Sequence, residues 1–341
     1  MKPSLIVSTP PHLKNGETAH CLMFDVYIAA IPLIIASTVV FGLRALWIIL
    51  LCIVTAKLTE IFVQVFFTSR HLKLKDLPSN LLTSEELTFM DGSAAVTGLL
   101  MACTLPPGVP YWIPIIGTVV AIVVGKHLFG GIGYNIFNPA LVGRAFLLAA
   151  WPGIMTQWKQ PVAWFGATQA AAVDAVTTAT PLAALKQSDQ ATPLLNLFLG
   201  NTGGCIGETS TVALLIGAAY LLYKGTITWH IPLTYIGTVF LLTLILGQDP
   251  FLHIFAGGLM LGAFFMATDV VTSPVSKSGR YIFGAGAGII TVLIRQFGGY
   301  PEGVCYAILI MNALTPMIER YTSRRYNSLE IDIPLVNKIL K

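Results

Sequence analysis

The sequence predicts an all-α integral membrane protein, a class indicated by its composition, its apolar runs and the placement of its positive charges. Hydrophobic residues make up 55% of the 341 positions, whereas charged residues make up only 11%. An ordinary soluble domain carries about 25% charged residues, and a disordered chain combines low hydrophobicity with high charge. The composition therefore excludes both classes. The net charge of +4 is small and gives no indication of a nucleic-acid partner.

Ten apolar segments are candidates for membrane spans, since a helix needs about 20 mostly apolar residues to cross a bilayer. Eight are clear, and two are short and interrupted by small or polar residues. We expect the short ones to be broken or partly re-entrant, because such segments are tolerated only inside the protein or along a cavity. The clear segments are 22–42, 45–67, 112–129, 210–222, 231–247, 251–267, 281–297 and 303–318, and the short ones are 93–105 and 137–150.

Positive charges predict the orientation of these spans, because cytoplasmic loops are enriched in lysine and arginine. With ten spans and a cytoplasmic N-terminus, most of the charge falls on the inner side. The inner residues are Lys2, Lys14, Arg70, Lys73, Lys75, Lys126, Lys224, Lys277, Arg280, Arg320, Arg324, Arg325, Lys338 and Lys341, and the outer ones are Arg44, Lys159, Lys186 and Arg295. We therefore expect cytoplasmic termini and an outward-facing loop over residues 151–206. This loop contains enough Leu, Trp and Phe to fold back on the membrane domain.

Weak similarity between the two halves predicts an internal repeat. A Gly-Glu-Thr triplet at 16–18 recurs at 207–209, and a Phe-Gly-Gly triplet at 129–131 recurs at 297–299. Each half would hold five spans, and an odd number gives the halves opposite orientations in the membrane. We expect one polytopic domain over 1–341, with repeats over about 16–150 and 207–320, the outer loop over about 151–206, and a cytoplasmic tail over 321–341.

Polar residues are concentrated between the fourth and fifth spans, in residues 125–145. Unpaired polar groups at membrane depth cost several kcal/mol, so Asn135, Asn138 and Arg144 need partners. A tight turn with both asparagines as helix caps explains part of the pattern. It does not explain Arg144, which needs an anionic or carbonyl partner. A ligand contact and a structural role therefore both stay open for this segment.

The end of the eighth span is a second polar segment. Its polar residues either cap the next element or bind a polar ligand or a cation; they are Thr268, Asp269, Thr272 and Ser273. Ionisable residues near a bilayer are functional candidates by default, although Lys57 and Glu60 are one helical turn apart and placed to pair. The glycine-rich run at 284–288 lies within a span, and a close-packing helix face accounts for it better than a dinucleotide loop.

Cysteine and histidine spacing indicates no metal site. The five cysteines are isolated, and the six histidines show no HxxxH or HExxH pattern. Zinc and iron–sulfur sites depend on clustered ligands. We therefore interpret the cysteines as small buried apolar residues.

A hydroxyl-rich stretch in the outer loop, residues 174–182, is a candidate modification site. Pro181 biases Thr180 toward an extended backbone, and alanines at 175 and 179 leave room around it. We expect the Thr180 hydroxyl to stand out from the chain, where a macromolecule can approach it.

Several of these segments together resemble one protein family. Asp174–Thr180 is similar to the flavinylation motif Asp-x-x-Ser/Thr-Gly-Ala-Thr, in which a flavin transferase links FMN to the last threonine. Residues 125–146, 264–274 and 298–320 resemble the D subunit of the Rnf complex, an ion-translocating ferredoxin:NAD oxidoreductase. The B subunit of the Na⁺-pumping NADH:quinone reductase is the sister family. The resemblance extends from the first span to Arg320. Thr178 stands where the motif often has glycine, so Thr177 and Thr178 are alternative acceptors.

The resemblance implies a fold of ten helices in two inverted five-helix repeats, similar to urea transporters. It also implies covalent FMN on Thr180, recognised through Asp174 and Ala179, and it suggests a second, noncovalent riboflavin. Asn135, Asn138 and Arg144 would then be flavin contacts or structural polar contacts. Partners would be the other Rnf subunits and a flavin transferase. The location would be the bacterial inner membrane, with the FMN on the periplasmic side.

The implied function is electron relay between redox subunits coupled to Na⁺ or H⁺ translocation, by a chain that is not catalytic alone. The FMN phosphate would keep negative charge near Lys159 or Lys186, and Asp249, Asp269 and Glu302 are candidates for the ion route. The alternative is a transporter or channel for a small polar solute, because a fold does not determine function. It predicts no covalent chromophore.

Overall fold

The computed structural model describes residues 19–69, 91–159, 177–178, 180–183, 193–200, 202–208, 210–299 and 303–322. Helices dominate this part of the chain, as expected where no water satisfies the backbone within a bilayer. The helices are α1 (Ala19–Phe41), α2 (Leu43–Ser69), α3 (Ser93–Cys103), α4 (Trp112–Val120), α5 (Pro139–Ala150), α6 (Pro152–Met155), α7 (Leu194–Leu199), α8 (Thr211–Lys224), α9 (His230–Ile245), α10 (Pro250–Phe255), α11 (Leu259–Leu261), α12 (Lys277–Phe297) and α13 (Val304–Thr322). The helix α4 continues through a π-helical turn, Ala121–Lys126, and a 3₁₀ turn, His127–Phe129, and α11 continues as a π-helical turn, Gly262–Met266. Two short strands, β1 (Trp158–Lys159) and β2 (Thr177–Thr178), pair antiparallel.

Each of the ten predicted spans falls on a helical segment. Within the part of the chain that the structure describes, three helical segments are long and apolar enough to cross a membrane, namely Ala19–Phe41, Leu43–Phe66 and Trp112–Phe129. Four shorter apolar helices are Ser93–Cys103, Pro139–Ala150, Thr211–Lys224 and His230–Ile245.

The position of the broken span differs from the prediction. Helices α3 and α5 are short but continuous, whereas the eighth span is interrupted between α10 and α11. Gly257 and Gly258 both have a φ of +69° at this point. Only glycine adopts that conformation readily, so the two residues end one helix and start the next. The prediction that 93–105 and 137–150 are broken is wrong, whereas a partly re-entrant course of these segments stays a prediction.

The outward face of α2 has the character of a lipid-facing surface. Large apolar side chains are exposed on it at helical spacing, namely Trp47, Leu50, Val54, Leu58, Ile61 and Phe62. A contiguous exposed apolar surface marks a contact with membrane or protein. Together with the apolar helices, this surface identifies an integral membrane protein.

The glycine-rich run of α12 packs against α9. Gly284 lies against Thr234 and the backbone of Ile231, and a Cβ on Gly288 would lie 2.7 Å from Thr238 Cβ. Small residues let two helix backbones approach closely in a membrane. The predicted close-packing face is therefore confirmed.

Segments of the outer loop lie on the membrane domain. Leu182 and Leu197 form an apolar cluster with Leu252 and Ala256 of the α10 region. At the end of the loop, the Ile206 amide donates to the Leu105 carbonyl at 2.9 Å. The prediction that this loop folds back is confirmed for the segments that the structure describes.

Candidate functional site

Thr180 begins a helical turn, residues 180–183, that lies against the membrane domain. Its residue surface is only 3% exposed. Its Oγ1 accepts a hydrogen bond from the Ala183 amide at 3.2 Å, as a helix N-cap does. The prediction that this hydroxyl stands out from the chain is wrong, because the capping contact and the docking of the turn bury it.

The strand pair brings part of the motif next to Lys159. In the β1–β2 register, Lys159 is opposite Thr177 and Trp158 is opposite Thr178. The aliphatic part of the Lys159 side chain lies over Gly108. A Cβ placed on Gly108 would lie 3.1 Å from Lys159 Cε. Lys159 is thus held near the motif by two neighbouring segments. Asp174, Ala179 and Lys186 lie outside the described residues.

The surface beneath the 180–183 turn is the end of α10, which is held by Arg295 of α12. The Arg295 residue is 5% exposed. It donates through Nη1 to the His253 carbonyl and through Nη2 to the carbonyls of Ala256, at 3.1 Å, and Gly257, at 3.3 Å. The charge pattern assigns Arg295 to an outer segment, whereas the structure places it within α12.

His253 is a further buried polar residue at this end of α10. It is 5% exposed. Neither ring nitrogen has a hydrogen-bond partner within the described part of the chain. The sequence shows only an isolated histidine in an apolar run, so its position beside the Arg295 contacts could not be predicted.

Thr180 fits a phosphoester chemically, but the docked turn gives a transferase no access to its hydroxyl. Replacing the hydroxyl hydrogen by phosphorus would leave Oγ1 as an acceptor, so the Ala183 contact is compatible with modification. This contact is the one hydrogen bond of the hydroxyl within the described residues. A residue that is 3% exposed gives a transferase no access. A transferase would therefore reach this hydroxyl only with the turn away from α10.

A second site is the inner cavity, a partly open cavity of about 100 Å³ between the two halves of the chain. Three of the predicted site residues line it, namely Asn135, Asn138 and Asp269. Asn138 caps α5 by accepting from the amides of Ala140 and Leu141 at 3.1 and 3.3 Å. It also donates to the Met266 carbonyl at 3.2 Å and so joins the halves.

The two other residues do not cap a helix, whereas a ligand contact stays a prediction for both. Asn135 donates to the Phe137 carbonyl at 3.2 Å and does not cap a helix. Asp269 accepts from the Thr272 hydroxyl at 3.0 Å, whereas Ser276 caps the next helix. Burial raises the pKa of the Asp269 carboxyl, and hydrogen bonds from Thr272 and nearby amides oppose that shift. Thr268 and Asp269 thus supply polar groups to the lining of the inner cavity.

A buried ion pair forms part of the same cavity wall. Lys126 and Glu60 are in contact, and their side chains are 3% and 1% exposed. Lys126 Nζ also donates to Ser93 Oγ at 2.5 Å, and Lys126 and Ser93 both line the cavity. The predicted pairing of Glu60 with Lys57 is wrong, since Glu60 faces the interior and Lys57 is exposed.

Arg144 lines a smaller outer cavity of about 30 Å³, which also borders Glu208 and Gly257. It donates to the Thr104 carbonyl and lies 3.1 Å from Cys205 Sγ. The expected carbonyl partner is therefore confirmed. Glu208 accepts from the Cys205 amide at 2.8 Å. In the sequence, Glu208 is notable only as part of the repeated triplet, so its place in a cavity could not be predicted.

The candidate ion-route residues do not converge on one place. Asp249 is exposed and caps α10 by accepting from the Phe251 amide at 3.0 Å. Asp269 belongs to the inner cavity. Glu302 lies outside the described residues. Thr180 lines neither cavity. Its turn lies near the outer cavity, because Leu182 packs beside Gly257, which lines that cavity.

Comparison with known proteins gives matches over nearly the whole chain. The model of the "NQR2, RnfD, RnfE family" matches residues 6–327. The chain is 46% identical to the D subunit of the Na⁺-translocating ferredoxin:NAD⁺ oxidoreductase complex of Acetobacterium woodii, over 94% of this chain and 95% of the relative. It is 44% identical to the D subunit of the proton-translocating ferredoxin:NAD⁺ oxidoreductase complex of Clostridium ljungdahlii, over 93% and 94%. It is 36% identical to the D subunit of the ion-translocating oxidoreductase complex of Escherichia coli, over 94% and 97%. The chain therefore belongs to the NQR2, RnfD, RnfE family.

Proposed function

We propose that this chain is the flavin-carrying membrane subunit of an ion-translocating ferredoxin:NAD⁺ oxidoreductase complex. The family match over residues 6–327 carries this proposal. Two relatives named as D subunits of such complexes support it, and so does a third named as the D subunit of an ion-translocating oxidoreductase complex. The partners would be the other subunits of the complex. The chain would relay electrons within the assembly and would not be catalytic alone.

The proposed cofactor is FMN joined to Thr180 by a phosphoester. The Asp174–Thr180 motif supports this site, and so does an Oγ1 that keeps its capping contact as an ester oxygen. A bound flavin would supply the uptake and release of electrons, and the protein would position it. Lys159 is held beside the motif strand, where its ammonium group would offset part of the phosphate charge. A second flavin, riboflavin, remains a proposal without an assigned site.

The proposed architecture is ten spans in two inverted repeats, in the bacterial inner membrane. The termini would be cytoplasmic and Thr180 periplasmic, as the charge distribution suggests. The packing supports the repeat, because α1 contacts α8 and α5 contacts α13, which are elements at equivalent positions in the two halves. The repeats would span about 16–150 and 207–320.

Cation movement would follow the polar positions between the halves. Electron uptake by a flavin adds negative charge unless a cation or proton follows, and this gives a physical reason for coupling. Asp269 on the inner cavity keeps its place as an ion-route candidate, and Asp249 and Glu302 stay proposals. The relatives include both Na⁺- and proton-translocating complexes at similar identity, so they do not select the ion.

Gel fluorescence tests the cofactor directly. The full-length chain and its Thr180→Ala variant would each be co-expressed with a flavin transferase, denatured and separated, and intact mass would locate the adduct. We expect a fluorescent wild type and a dark variant. A dark wild type would contradict the redox proposal and favour a solute transporter. A fluorescent variant would move the attachment to Thr177 or Thr178.

A further inference from the structure

A buried guanidinium holds the carbonyl groups at the end of α10. Arg295 reaches from α12 to the carbonyls of His253, Ala256 and Gly257, the last residues before the chain turns. Carbonyls at a helix end lack partners within the helix, and at membrane depth an unpaired one is costly. Arg295 therefore stabilises the position of this helix end.

The 180–183 turn rests on that helix end. A Cβ on Gly257 would overlap Leu182 Cδ1 and would lie 3.0 Å from Arg295 Nη2. The two side chains thus meet at the same glycine from different sides. Leu182 also packs in the apolar cluster with Leu252 and Ala256. A displacement of the α10 end would remove the surface on which Leu182 packs.

We propose that Arg295 is a positioning residue for the flavin: by holding the α10 end, it docks the turn that carries Thr180 onto the membrane domain. This inference rests on the proposed function in so far as Thr180 carries the flavin. The docked turn buries Thr180 to 3% exposure. The turn therefore has two positions, an undocked one in which Thr180 is accessible for modification and a docked one in which the attached flavin is held against the protein.

Thiol labelling of position 180 measures docking without any flavin. The exposed Cys21 is first replaced by Ser; the other four cysteines, Cys52, Cys103, Cys205 and Cys305, are buried. Thr180→Cys is then labelled in intact membranes with a membrane-impermeant maleimide. Thr156→Cys is the reference, because Thr156 is exposed on the same outer loop. We expect position 180 to react at least about tenfold more slowly than position 156, since labelling requires the turn to open locally.

Two variants should release the turn. Leu182→Ala removes the packing contact, and Arg295→Met removes the three carbonyl contacts. We expect each to raise the labelling rate at position 180 about tenfold and to leave position 156 unchanged. Arg44→Met is the matched control, because Arg44 also holds two carbonyls, those of Gly108 and Val109, but does not contact the turn.

Further readouts separate positioning from a general loss of structure. Arg295→Lys keeps a cationic donor and should restore part of the slow labelling. In the flavinylated protein, Leu182→Ala should lower the anisotropy of flavin fluorescence at unchanged flavin content. The effects of Leu182→Ala and Arg295→Lys on the labelling rate should not multiply when the two substitutions are combined, because both act on the contact between the turn and the α10 end.

Two results would overturn the inference. One is labelling of Thr180→Cys as fast as that of Thr156→Cys in the otherwise native chain. The other is a rate in Arg295→Met no higher than in Arg44→Met. Neither result depends on FMN, so the inference can fail while the proposed function stands. A dark wild type in the gel would instead contradict the proposed covalent flavin. The labelling would still decide whether Arg295 docks the turn.

Discussion

Replacing Lys126 by methionine should destabilise the protein strongly, because it removes the ammonium partner of a buried carboxylate and leaves it, among the described residues, only His127, whose Nε2 is 3.7 Å from Glu60 Oε1. The Glu60 side chain is 1% exposed. Lys126 forms an ion pair with it and also donates a hydrogen bond to Ser93. Breaking a buried pair by removing one partner costs about 3–5 kcal/mol, whereas replacing both partners by apolar residues is often neutral. We therefore expect Lys126→Met to lower the free energy of unfolding by about 3–5 kcal/mol. The double variant with Glu60→Met should recover most of that loss.

Denaturant titration of the full-length chain in detergent, followed by tryptophan fluorescence, measures these differences. Lys57→Met is the matched control, since Lys57 is one turn from Glu60 but exposed. Its removal should change the free energy of unfolding by less than about 1 kcal/mol. The reasoning is refuted if Lys126→Met costs no more than Lys57→Met, or if the double variant is as unstable as Lys126→Met alone.

Three further predictions concern single residues. Asn138→Ala should lower the free energy of unfolding by about 1–2 kcal/mol through loss of a helix cap, measured in the same titration; an unchanged midpoint would contradict the cap. Asp249→Asn should lower ion pumping more than flavin content and leave stability unchanged, because asparagine caps a helix equally well; equal pumping removes Asp249 from the ion route. Gly288→Leu should cost about 1–3 kcal/mol by overpacking against α9, whereas Gly237→Leu, with open space around it, should cost much less.

The helical segments could be predicted because each depends on a local property of the sequence. Apolar runs predicted the positions of the helices, and the glycine spacing at 284–288 predicted the close packing of α12 on α9. The break at Gly257 and Gly258 was missed, since two glycines within an apolar run are equally typical of close packing. Their φ of +69° results from the tertiary arrangement around them.

Pairings between distant residues could not be predicted for the same reason. The Asn138 cap involves neighbours in the chain and was expected, as was a carbonyl partner for Arg144. The partner of Glu60 is 66 residues away, so only the three-dimensional fold selects Lys126 over the nearby Lys57. The burial of Thr180 depends likewise on α10, which lies about 70 residues later in the sequence.

Redox-driven cation uptake tests the central claim most directly. Sealed vesicles containing the assembled complex would be supplied with reduced ferredoxin and NAD⁺, and cation accumulation would be measured for wild type, Thr180→Ala and the control Thr156→Ala. The account predicts electron-dependent uptake in wild type and in Thr156→Ala, and its loss in Thr180→Ala. Undiminished uptake in Thr180→Ala would contradict a role for this residue in coupling electron transfer to ion movement.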